Sequence, residues 1–317
     1  MNYNTTKRGF FSKRYDNFQY LGASEPSFEG FYCKVAKPNG KTFVVICGFA
    51  RTKEKSYAFI QVGSHFSETK YFEYPIESLN INEAGFSFSI QQHQISMEGI
   101  SIIEEDCEIN LTFENFNAWE RTRLRPSIMG ILTYVPFVEC KHDIVAPHFN
   151  ASGIVKIEQQ TMRFNSDAGY IDRNWGKSFP KRYCWGHLSG FSNDSISIQF
   201  AKGSPKWLFL KIPVHIGFLY LNGEITTFKS WRGAQIRIRN TDDFMVYLKN
   251  SKYEIQLLFE RDKKLQLKAP DEGNIQDEIM EYAGNPTKVK IFKRKKRRAN
   301  KLIYEETVFN STLEIRE

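Results

Sequence analysis

The sequence predicts a mostly β protein, built as antiparallel barrels or sandwiches with few and short helices. Aromatic residues make up 15% of the 317 residues, and Phe leads them with 27 copies. Aromatic and β-branched side chains favour pleated sheets. Apolar and polar residues alternate along many short segments, and turn-forming residues separate these segments. Many short strands in this arrangement are typical of β-barrels and sandwiches.

The alternation is strictest in three segments. In CEINLTFEN, the side chains of Ile109, Leu111 and Phe113 fall on one face, and SISIQF and AQIRIR show the same period. Five further segments read as strands: TFVVICGFA, YAFIQVG, FSFSIQQ, YEIQLLFE and LQLKAP. Helical periodicity is scarce, and the sequence predicts one short helix, from Asp277 to Tyr282.

The middle of the chain differs from the rest. Residues 123–148, RLRPSIMGILTYVPFVECKHDIVAPH, contain three prolines and alternate only weakly. Proline interrupts regular sheet pairing, so this segment is predicted to link two β-rich halves. We place an N-terminal barrel at residues 1–135 and a C-terminal barrel at residues 136–317.

The positive charge is concentrated in one short segment. The net charge is +8, but residues 288–301, KVKIFKRKKRRANK, hold nine basic residues, and the remaining chain has 35 basic against 36 acidic side chains. The preferred interpretation is a solvated hairpin tip between two strand-like segments. The alternative is peripheral contact with an anionic membrane, where each Lys or Arg contributes about 1 kcal/mol. Nucleic-acid binding ranks last, because no recognition motif accompanies the run.

The compartment follows from the cysteines and the N-terminus. The five cysteines are odd in number and form no CxxC pair, which favours a reducing cytosol over a disulfide framework. The N-terminal segment has no apolar core typical of a secretion signal. The most apolar run, residues 207–221, is too short and too interrupted to span a bilayer. We therefore expect a cytoplasmic protein, with any membrane contact at the inner face.

Motifs for common cofactors are missing from the sequence. It has no GxGxxG, P-loop, GxSxG or HExxH pattern. Its six histidines are scattered, and Glu139-x-x-His142 is the one weak pair with metal-ligand spacing. We predict no metal and no organic cofactor.

One aromatic and acidic stretch stands apart, GYIDRNWGKSFPKRYCWGHLSGF, at residues 169–191. Its first half resembles the signature Gly-Tyr-Ile-Glu-Lys-Asp-Trp-Gly-x-Ser-Phe-Pro of the tocopherol cyclase-like family. SIMGILTYVPFVECKH upstream is similar to that family's Met-Gly…Val-Pro-Phe-Met-Glu-Cys-Tyr-His block. FEGFYCK at residues 28–34 resembles Phe-Glu-Gly-Trp-Tyr-Phe-Lys. AFIQV and LKAP fall in matching order, so that the similar blocks extend over nearly the whole chain.

The resemblance implies a fold, a ligand and a reaction. The implied fold is a pair of lipocalin-like antiparallel β-barrels of the calycin type, with an apolar cavity for a prenyl lipid. Plant members of the family close the chromanol ring of vitamin E from a prenylated hydroquinone. The related carotenoid hydratases also protonate an isoprenoid double bond. The resemblance implies no metal and no organic cofactor.

Three positions depart from the family pattern. Asp172 stands where the family has Glu, which keeps the acid on a shorter side chain. Asn174 stands where the family has Asp, and Lys141 where it has Tyr. If the second acid of the signature is the family's proton donor, this chain has lost that donor at Asn174.

The chemistry of cyclisation selects candidate residues. Protonating an unactivated alkene requires a carboxylic acid that burial keeps neutral. The cation that follows is stabilised by aromatic faces, each worth roughly 0.5–2 kcal/mol, and by exclusion of water. Asp172 is the predicted proton donor, with Glu139 and His142 feeding the proton or orienting the phenol. The predicted substrate-binding residues are Tyr170, Asn174, Trp175, Phe179, Tyr183, Trp185 and His187.

Structural roles compete with these assignments. Trp175 and Trp185 are each more often core residues, and Asp172 has even odds of capping a turn or pairing with Arg173 or Lys177. Glu139 and His142 are more often a satisfied polar pair. Two rival functions stay open beside the cyclase: a non-catalytic carrier of an apolar prenyl lipid, favoured by Asn174, and a hydratase in which water captures the cation.

Overall fold

The computed structural model describes residues 18–19, 26–64, 67–82, 86–193, 195–241, 243–295 and 298–316. Within these ranges it is almost entirely antiparallel β-sheet, as the sequence predicts. An 11-stranded sheet forms a nearly closed barrel, here called the first barrel. Its strands are β1 (Ser27–Ala36), β2 (Thr42–Arg51), β3 (Ser56–Ser64), β4 (Ser67–Pro75), β5 (Leu79–Ile81), β6 (Ser87–Ile90), β7 (His93–Ser96), β8 (Gly99–Glu104), β9 (Cys107–Asn117), β10 (Cys140–Ile157) and β11 (Gln160–Gly176).

A second, 10-stranded sheet follows in the chain, and a two-stranded hairpin lies beside it. The sheet contains β12 (Tyr183–Leu188), β13 (Ile196–Gly203), β16 (Val214–Leu221), β17 (Glu224–Thr227), β18 (Gln235–Asn240), β19 (Phe244–Lys249), β20 (Tyr253–Phe259), β21 (Leu265–Asp271), β22 (Asn274–Lys293) and β23 (Lys301–Arg316). The hairpin consists of β14 (Lys206–Trp207) and β15 (Leu210–Lys211).

The helices of the described ranges are three single turns of 3-10 helix, at Ile76–Ser78, Gly130–Tyr134 and Ser230–Arg232. None of them has the length or the apolar content to cross a bilayer.

The two sheets repeat one topology. In the first, the strand order is β4-β3-β2-β1-β11-β10-β9-β8-β7-β6-β5, so that the first strand pairs with the last. In the second, the order β17-β16-β13-β12-β23-β22-β20-β19-β18 pairs β12 with β23 in the same way. The two edge strands of each sheet are consecutive in the chain, β4 and β5 in the first sheet and β17 and β18 in the second. A 3-10 turn joins them in both cases. The chain therefore contains two successive copies of one barrel-like plan.

Burial along a strand shows which strands lie between the sheets. In β9 every second residue is buried over most of the strand, because one face lies inside the barrel and the other meets water. In β1 all ten residues are buried. Odd-numbered side chains such as Phe31 and Cys33 enter the first barrel, and even-numbered ones such as Tyr32 pack toward the second sheet. A strand buried on both faces reads as a continuous apolar run, which explains the weak alternation of β1 and β2.

Side chains fill the interior of each sheet. The first barrel encloses a cluster that includes Phe31, Val45, Ile109 and Phe149. The second sheet encloses another, which includes Leu188, Phe200 and Leu257. A third cluster joins side chains of both sheets and lies between them.

The helix predicted from Asp277 to Tyr282 is wrong. These residues belong to β22, which pairs with β21 on one side and β23 on the other. Ile275, Ile279, Glu281 and Ala283 are buried, so the segment follows the two-residue period of a strand. The short window DEIMEY fits either period, and only pairing with two neighbours selects the strand.

The division between the sheets does not coincide with the predicted boundary between residues 135 and 136. Strands β10 and β11 pair with β9 and β1 in the first sheet, which therefore extends to Gly176. Of the predicted linker, only residues up to 139 form a connection, and residues 140–148 begin β10. Its prolines misled the prediction: Pro147 lies where the pairing of β10 shifts register, the kind of site that tolerates proline.

The basic run flanks a hairpin, as the preferred interpretation predicts. Strands β22 and β23 pair up to Lys293 and Lys301. Lys296 and Arg297 lie outside the described residues.

Candidate functional site

An apolar cavity of about 170 Å³ lies between the two sheets. One wall comes from the outer face of β1, β10 and β11, with Gly30, Tyr32 and Asp172 among its residues. The opposite wall comes from β12, β13, β22 and β23, with Trp185 and Glu314 among its residues. The cavity therefore lies at the contact between the two repeats, outside the packed interior of either one.

Asp172 lies at the centre of the first wall because of strand register. Tyr32 on β1 and Ile144 on β10 are its direct neighbours across β11. Side chains of directly opposed residues are about 4.5–5.5 Å apart at Cβ. Asn174 and Tyr170 lie two residues away on the same strand face.

The Asp172 carboxyl is buried and only half satisfied. The residue is 1% exposed. Its Oδ2 accepts a 2.9 Å hydrogen bond from the Tyr170 hydroxyl, and its Oδ1 has no partner among the described residues. Burial raises the pKa of Asp172 well above its ordinary value, and the charges of Glu314 and Asp143 raise it further. The hydrogen bond from Tyr170 opposes this rise in pKa, and the neighbouring Trp185 side chain does so more weakly. These shifts in pKa favour the protonated, neutral form of the carboxyl.

The sequence analysis missed two acids at the second wall: Glu314 lines the cavity, and Glu281 is buried beside it. Glu281 on β22 and Glu314 on β23 are directly opposed, and Trp185 on β12 is the other neighbour of Glu314. Tyr32 donates hydrogen bonds of 3.1 and 2.9 Å to the Glu281 carboxylate, and Tyr183 donates one of 2.9 Å to Glu314. Two rows of three residues therefore face each other. One row is Trp185, Glu314 and Glu281, and the other is Ile144, Asp172 and Tyr32. Each row crosses the pair formed by the first and the last strand of its sheet.

Both glutamates are buried, and burial raises the pKa of each. Burial raises the pKa of Glu281, and the nearby Glu314 raises it further. Burial also raises the pKa of Glu314 to about 7. Two carboxyls this close do not both ionise readily, so the pair holds a proton near neutral pH. Sequence reasoning had assigned Glu281 to a helix and gave no signal for Glu314, whose partners come from distant strands.

A buried lysine lies behind the acids. Lys34 on β1 donates hydrogen bonds of 2.8 Å to the Asn310 carbonyl oxygen and 3.3 Å to the His187 carbonyl oxygen. Burial lowers the pKa of Lys34 to about 7, while the Glu281 charge acts in the opposite direction. Lys34 is thereby an internal counter-charge for the glutamate pair.

His142 and Asn174 form a polar corner of the cavity. His142 Nδ1 lies 2.9 Å from Asn174 Oδ1, and its Nε2 lies 3.2 Å from Gln199 Nε2. Burial lowers the pKa of His142, which favours the neutral imidazole. A neutral ring that accepts from Gln199 at Nε2 carries its proton on Nδ1 and donates it to Asn174. His142 therefore holds the Asn174 amide in a fixed orientation toward the cavity.

Five further predicted residues lie at or next to the cavity. Phe179, Tyr183 and Trp185 line it. The ring centroids of Tyr32 and Trp185 are 5.3 Å apart in an edge-on arrangement. Tyr170 holds Asp172 from behind, and His187 stacks on Tyr170 with ring centroids 3.7 Å apart. His187 is thus one layer removed from the cavity, and burial lowers its pKa well below the usual value.

Trp175 does not line the cavity, contrary to its predicted role in substrate binding. It is an odd-numbered residue of β11, so its side chain lies on the face opposite to Asp172. There it stacks with the Arg173 guanidinium, 5.0 Å from the ring centroid. Arg173 itself pairs with Asp143 and Glu29, all fully buried. Arg121 also pairs with Asp143, at 3.0 Å. Two arginines thus balance two acids beside Trp175 in the barrel interior.

Glu139 is also outside the cavity. Its carboxylate accepts a 2.9 Å hydrogen bond from the Lys206 backbone, and its carbonyl oxygen pairs with Lys177. Lys177 is five residues from Asp172, roughly 16 Å along a strand. No contact that would pass a proton from Glu139 to Asp172 is present in the described residues, so the predicted relay has no structural path.

The described residues contain no cluster of His, Cys, Asp and Glu side chains arranged to hold a metal ion. The five cysteines are unpaired, and four of them are buried as core residues.

Comparison with known proteins adds a family and a fold. The sequence profile of the family described as tocopherol cyclase-like matches residues 67–316. No curated protein matches the sequence. Among solved structures, kievitone hydratase from Nectria haematococca is similar with a TM-score of 0.51 at 11% identity, over 96% of this chain and 95% of that one.

Two other structures share the fold. The protein CghA with Sch210972 has a TM-score of 0.56 at 9% identity, over 92% of this chain and 88% of that one. A protein provisionally assigned as AttH, from Nitrosomonas europaea, has a TM-score of 0.51 at 10% identity, over 98% and 97%. At these identities the likeness shows a common fold.

Proposed function

Since its profile match covers well over half of the sequence, this chain belongs to the tocopherol cyclase-like family. On that premise we propose that it adds the O–H bond of a hydroxyl group or of water across an isoprenoid double bond by acid catalysis. The resemblance seen in the sequence motifs is thereby confirmed. Membership supports an enzyme of the isomerase or lyase kind. The first form of the proposal is an intramolecular cyclase of a prenylated aromatic or terpenoid lipid.

The observation that carries the proposal is the buried, half-satisfied Asp172 carboxyl in the wall of an apolar cavity, whose pKa burial raises. An alkene is a weak base, so its protonation needs a strong acid held at one carbon. A buried carboxyl retains its proton at neutral pH and releases it only when a developing cation lies beside it. Its partner-free Oδ1 is the oxygen from which the proton leaves.

The proposed reaction balances without a cofactor. Asp172 transfers its proton to one alkene carbon, and the neighbouring carbon becomes a tertiary cation. The Tyr170 hydroxyl and the Trp185 indole stabilise the carboxylate that remains. The faces of Tyr32, Tyr183 and Trp185 stabilise the cation, at roughly 0.5–2 kcal/mol for each ring. A hydroxyl of the same substrate captures the cation, and its proton returns to Asp172.

A hydratase is the second candidate, and one feature favours it. His142, Asn174 and Gln199 form a polar corner in an otherwise apolar wall, and Asn174 can accept or donate to a bound water. A water held there would capture the cation in place of a substrate hydroxyl. The non-catalytic carrier is a further candidate, supported by the replacement of the family's second acid by Asn174.

One experiment separates the three candidates. Purified protein is incubated with prenylated hydroquinones, and the products are identified by mass spectrometry. A cyclase gives a product of unchanged mass, a hydratase gives a product heavier by one water, and a carrier binds the lipid without changing it. A bound but unchanged lipid under all conditions would overturn both catalytic forms. The Asp172→Asn variant, incubated in parallel, shows whether a product depends on this acid.

A further inference from the structure

A group of large apolar side chains is exposed at one end of the cavity. Six of them are half or more exposed: Leu124 at 75%, Ile131 at 60%, Phe137 at 73%, Leu208 at 58%, Phe209 at 86% and Leu210 at 50%. We call this group the apolar rim. Single exposed apolar residues are common on proteins, but a group of this size marks a site of interaction.

Backbone and side-chain contacts hold the parts of the rim together. The β14–β15 hairpin pairs with residues 136–139, because Trp207 bridges Val138 and its indole donates a 3.0 Å hydrogen bond to the Pro136 carbonyl oxygen. The turn that carries Leu124 is held by Tyr134, whose hydroxyl donates a 2.8 Å hydrogen bond to the Arg123 carbonyl oxygen. The apolar residues thus extend from an ordered platform.

The tip of the hairpin is unusual for a two-residue loop. Leu208 and Phe209 connect Trp207 to Leu210, and Leu208 has a φ of 56°. Such loops favour Gly, Asn or Asp, because these residues adopt positive φ at low cost. The chain follows that preference in its β16–β17 hairpin, where Asn222 and Gly223 have φ of 50° and 83°. Leu208 therefore opposes backbone preference, and Leu208 and Phe209 both expose apolar side chains to water, which indicates a role at the surface.

The rim carries a net positive charge, and the acid next to it, Glu139, lies 3.9 Å from the Lys206 ammonium. Residues 122–137, 202–212 and 230–232 contain no Asp or Glu. They contain six exposed basic residues: Arg123, Arg125, Lys202, Lys206, Lys211 and Arg232. Burial and the charges of Arg232 and Arg125 lower the pKa of Lys229 to about 8, so these two arginines lie near Lys229. A surface with apolar tips among basic residues matches anionic lipids in both polarity and charge.

The same segments form one end of the cavity. Met129, Leu132, Pro205 and Trp231 line it, and Lys202 and Trp231 are also exposed to solvent. An apolar cavity of roughly 150 Å³ admits one benzene ring. The cavity of about 170 Å³ therefore fits the reacting end of a prenyl lipid, and the exposed edge at Lys202 and Trp231 gives the rest of the lipid chain a way out beside the rim.

We propose that the apolar rim docks on anionic membranes, so that a lipid passes from the bilayer into the cavity without crossing water. Leu208 and Phe209 insert between the headgroups, and the basic residues contact lipid phosphates and carboxylates. The docking is independent of the chemistry inside, because a carrier and an enzyme need the same entry.

This surface is different from the basic run at 288–301. Glu314, at the cavity, lies thirteen residues along β23 from Lys301, or roughly 40 Å at the rise of a strand. A membrane bound at the basic run would hold the cavity far from the lipid, whereas the rim places the opening against it.

The test is co-sedimentation of the full chain with phosphatidylcholine vesicles, with and without phosphatidylserine. The first variant is Leu208→Gly with Phe209→Ser, which installs residues that a two-residue loop favours and should preserve the fold. It should bind vesicles at least tenfold more weakly, since two inserted apolar side chains are lost. Arg123→Gln with Lys211→Gln should weaken binding roughly fivefold per charge, and only to vesicles that contain phosphatidylserine.

The matched control is Leu302→Ser with Ile303→Ser, an exposed apolar pair next to the basic run, at 43% and 38% exposure. It should bind as the unmodified protein does. The proposal is overturned if the unmodified protein binds no vesicles, if the hairpin variant binds normally, or if the control loses binding equally. Self-association that the hairpin variant abolishes while vesicle binding is unchanged would assign the rim to contact between copies of this chain.

Discussion

The hydroxyl of Tyr170 donates a 2.9 Å hydrogen bond to Oδ2 of Asp172, two residues along the same face of β11, and leaves Oδ1 open. One side chain thus positions the acid and stabilises its anion, while the other oxygen stays available to a substrate. This geometry depends on the two-residue period of a strand, which places residues 170, 172 and 174 on one face.

Replacing Asp172 by Asn should abolish turnover while leaving the fold intact. The amide is nearly isosteric with a neutral carboxyl but supplies no proton, and a positioned acid is typically worth about 10²–10⁴-fold in rate. Lipid binding should persist, because it rests on buried apolar area. Product formation and lipid retention are measured together. Glu139→Gln is the control and should retain activity; activity lost in the control but kept in Asp172→Asn would assign the donor to Glu139.

Replacing Tyr170 by Phe should extend activity to higher pH. The hydroxyl stabilises the charged form of Asp172 and so lowers its pKa; removing it raises that pKa further. Only the protonated acid works, so activity falls as pH rises through the folded-state pKa, and the fall should begin later in the variant. The lost hydrogen bond should cost about 1 kcal/mol of stability. An unshifted alkaline limb in the pH–rate profile would contradict the assignment of Asp172.

Replacing Glu281 by Gln should make stability less sensitive to alkaline pH. Burial and the charge of Glu314 raise the pKa of Glu281 well above its ordinary value, so the stabilising contribution of Glu281 is complete below the ordinary pKa of Glu and is lost as pH rises through the folded-state pKa. Gln stays neutral at every pH, so the variant lacks this loss. Urea unfolding at about pH 6 and about pH 9 should show a smaller loss in the variant, at about 1.4 kcal/mol per pKa unit relieved. Glu305→Gln, at an exposed surface pair with Lys290, should behave as the unmodified protein does.

Replacing Trp185 by Phe and replacing Trp175 by Phe should affect different properties of the protein. Trp185 lines the cavity, and its indole supports the Asp172 carboxylate, so Trp185→Phe should lower turnover. Trp175 stacks on Arg173 inside the first barrel, so Trp175→Phe should lower the melting temperature and leave turnover unchanged. Truncation to Ala is unsuitable, because it costs roughly 3–5 kcal/mol in a core. Equal effects of both changes on turnover would show that the cavity is not the reaction site.

Adding a side chain at Gly30 should close the cavity without harming the fold. A Cβ there would meet Phe59 and Ile46 at 3.5 and 3.6 Å, which is ordinary contact, and would occupy the wall opposite Trp185. Gly30→Ala should weaken lipid binding, and Gly30→Val should weaken it further, with melting temperatures at or above that of the unmodified protein. Undiminished lipid binding by both variants would place the lipid elsewhere.

The sequence by itself determined most of the strands, the family and one acid of the candidate site. Alternation in segments such as CEINLTFEN reflects a barrel wall with one wet face, which is a local property of the chain. The motif around Asp172 could be read for the same reason, because Tyr170, Asp172 and Asn174 are neighbours in sequence and lie on one strand face.

Only the tertiary structure decided where the site lies and which residues complete it. The cavity is formed where two repeats meet, so Glu281, Glu314 and Tyr32 reach Asp172 through pairings between strands far apart in the chain. Because successive side chains of a strand point to opposite faces, Trp175 lies inside the first barrel and not in the cavity wall, although it belongs to the same motif. Burial between two sheets also set the protonation states, because the raised pKa values of Asp172 and Glu314 depend on the loss of water around them, which no local pattern encodes.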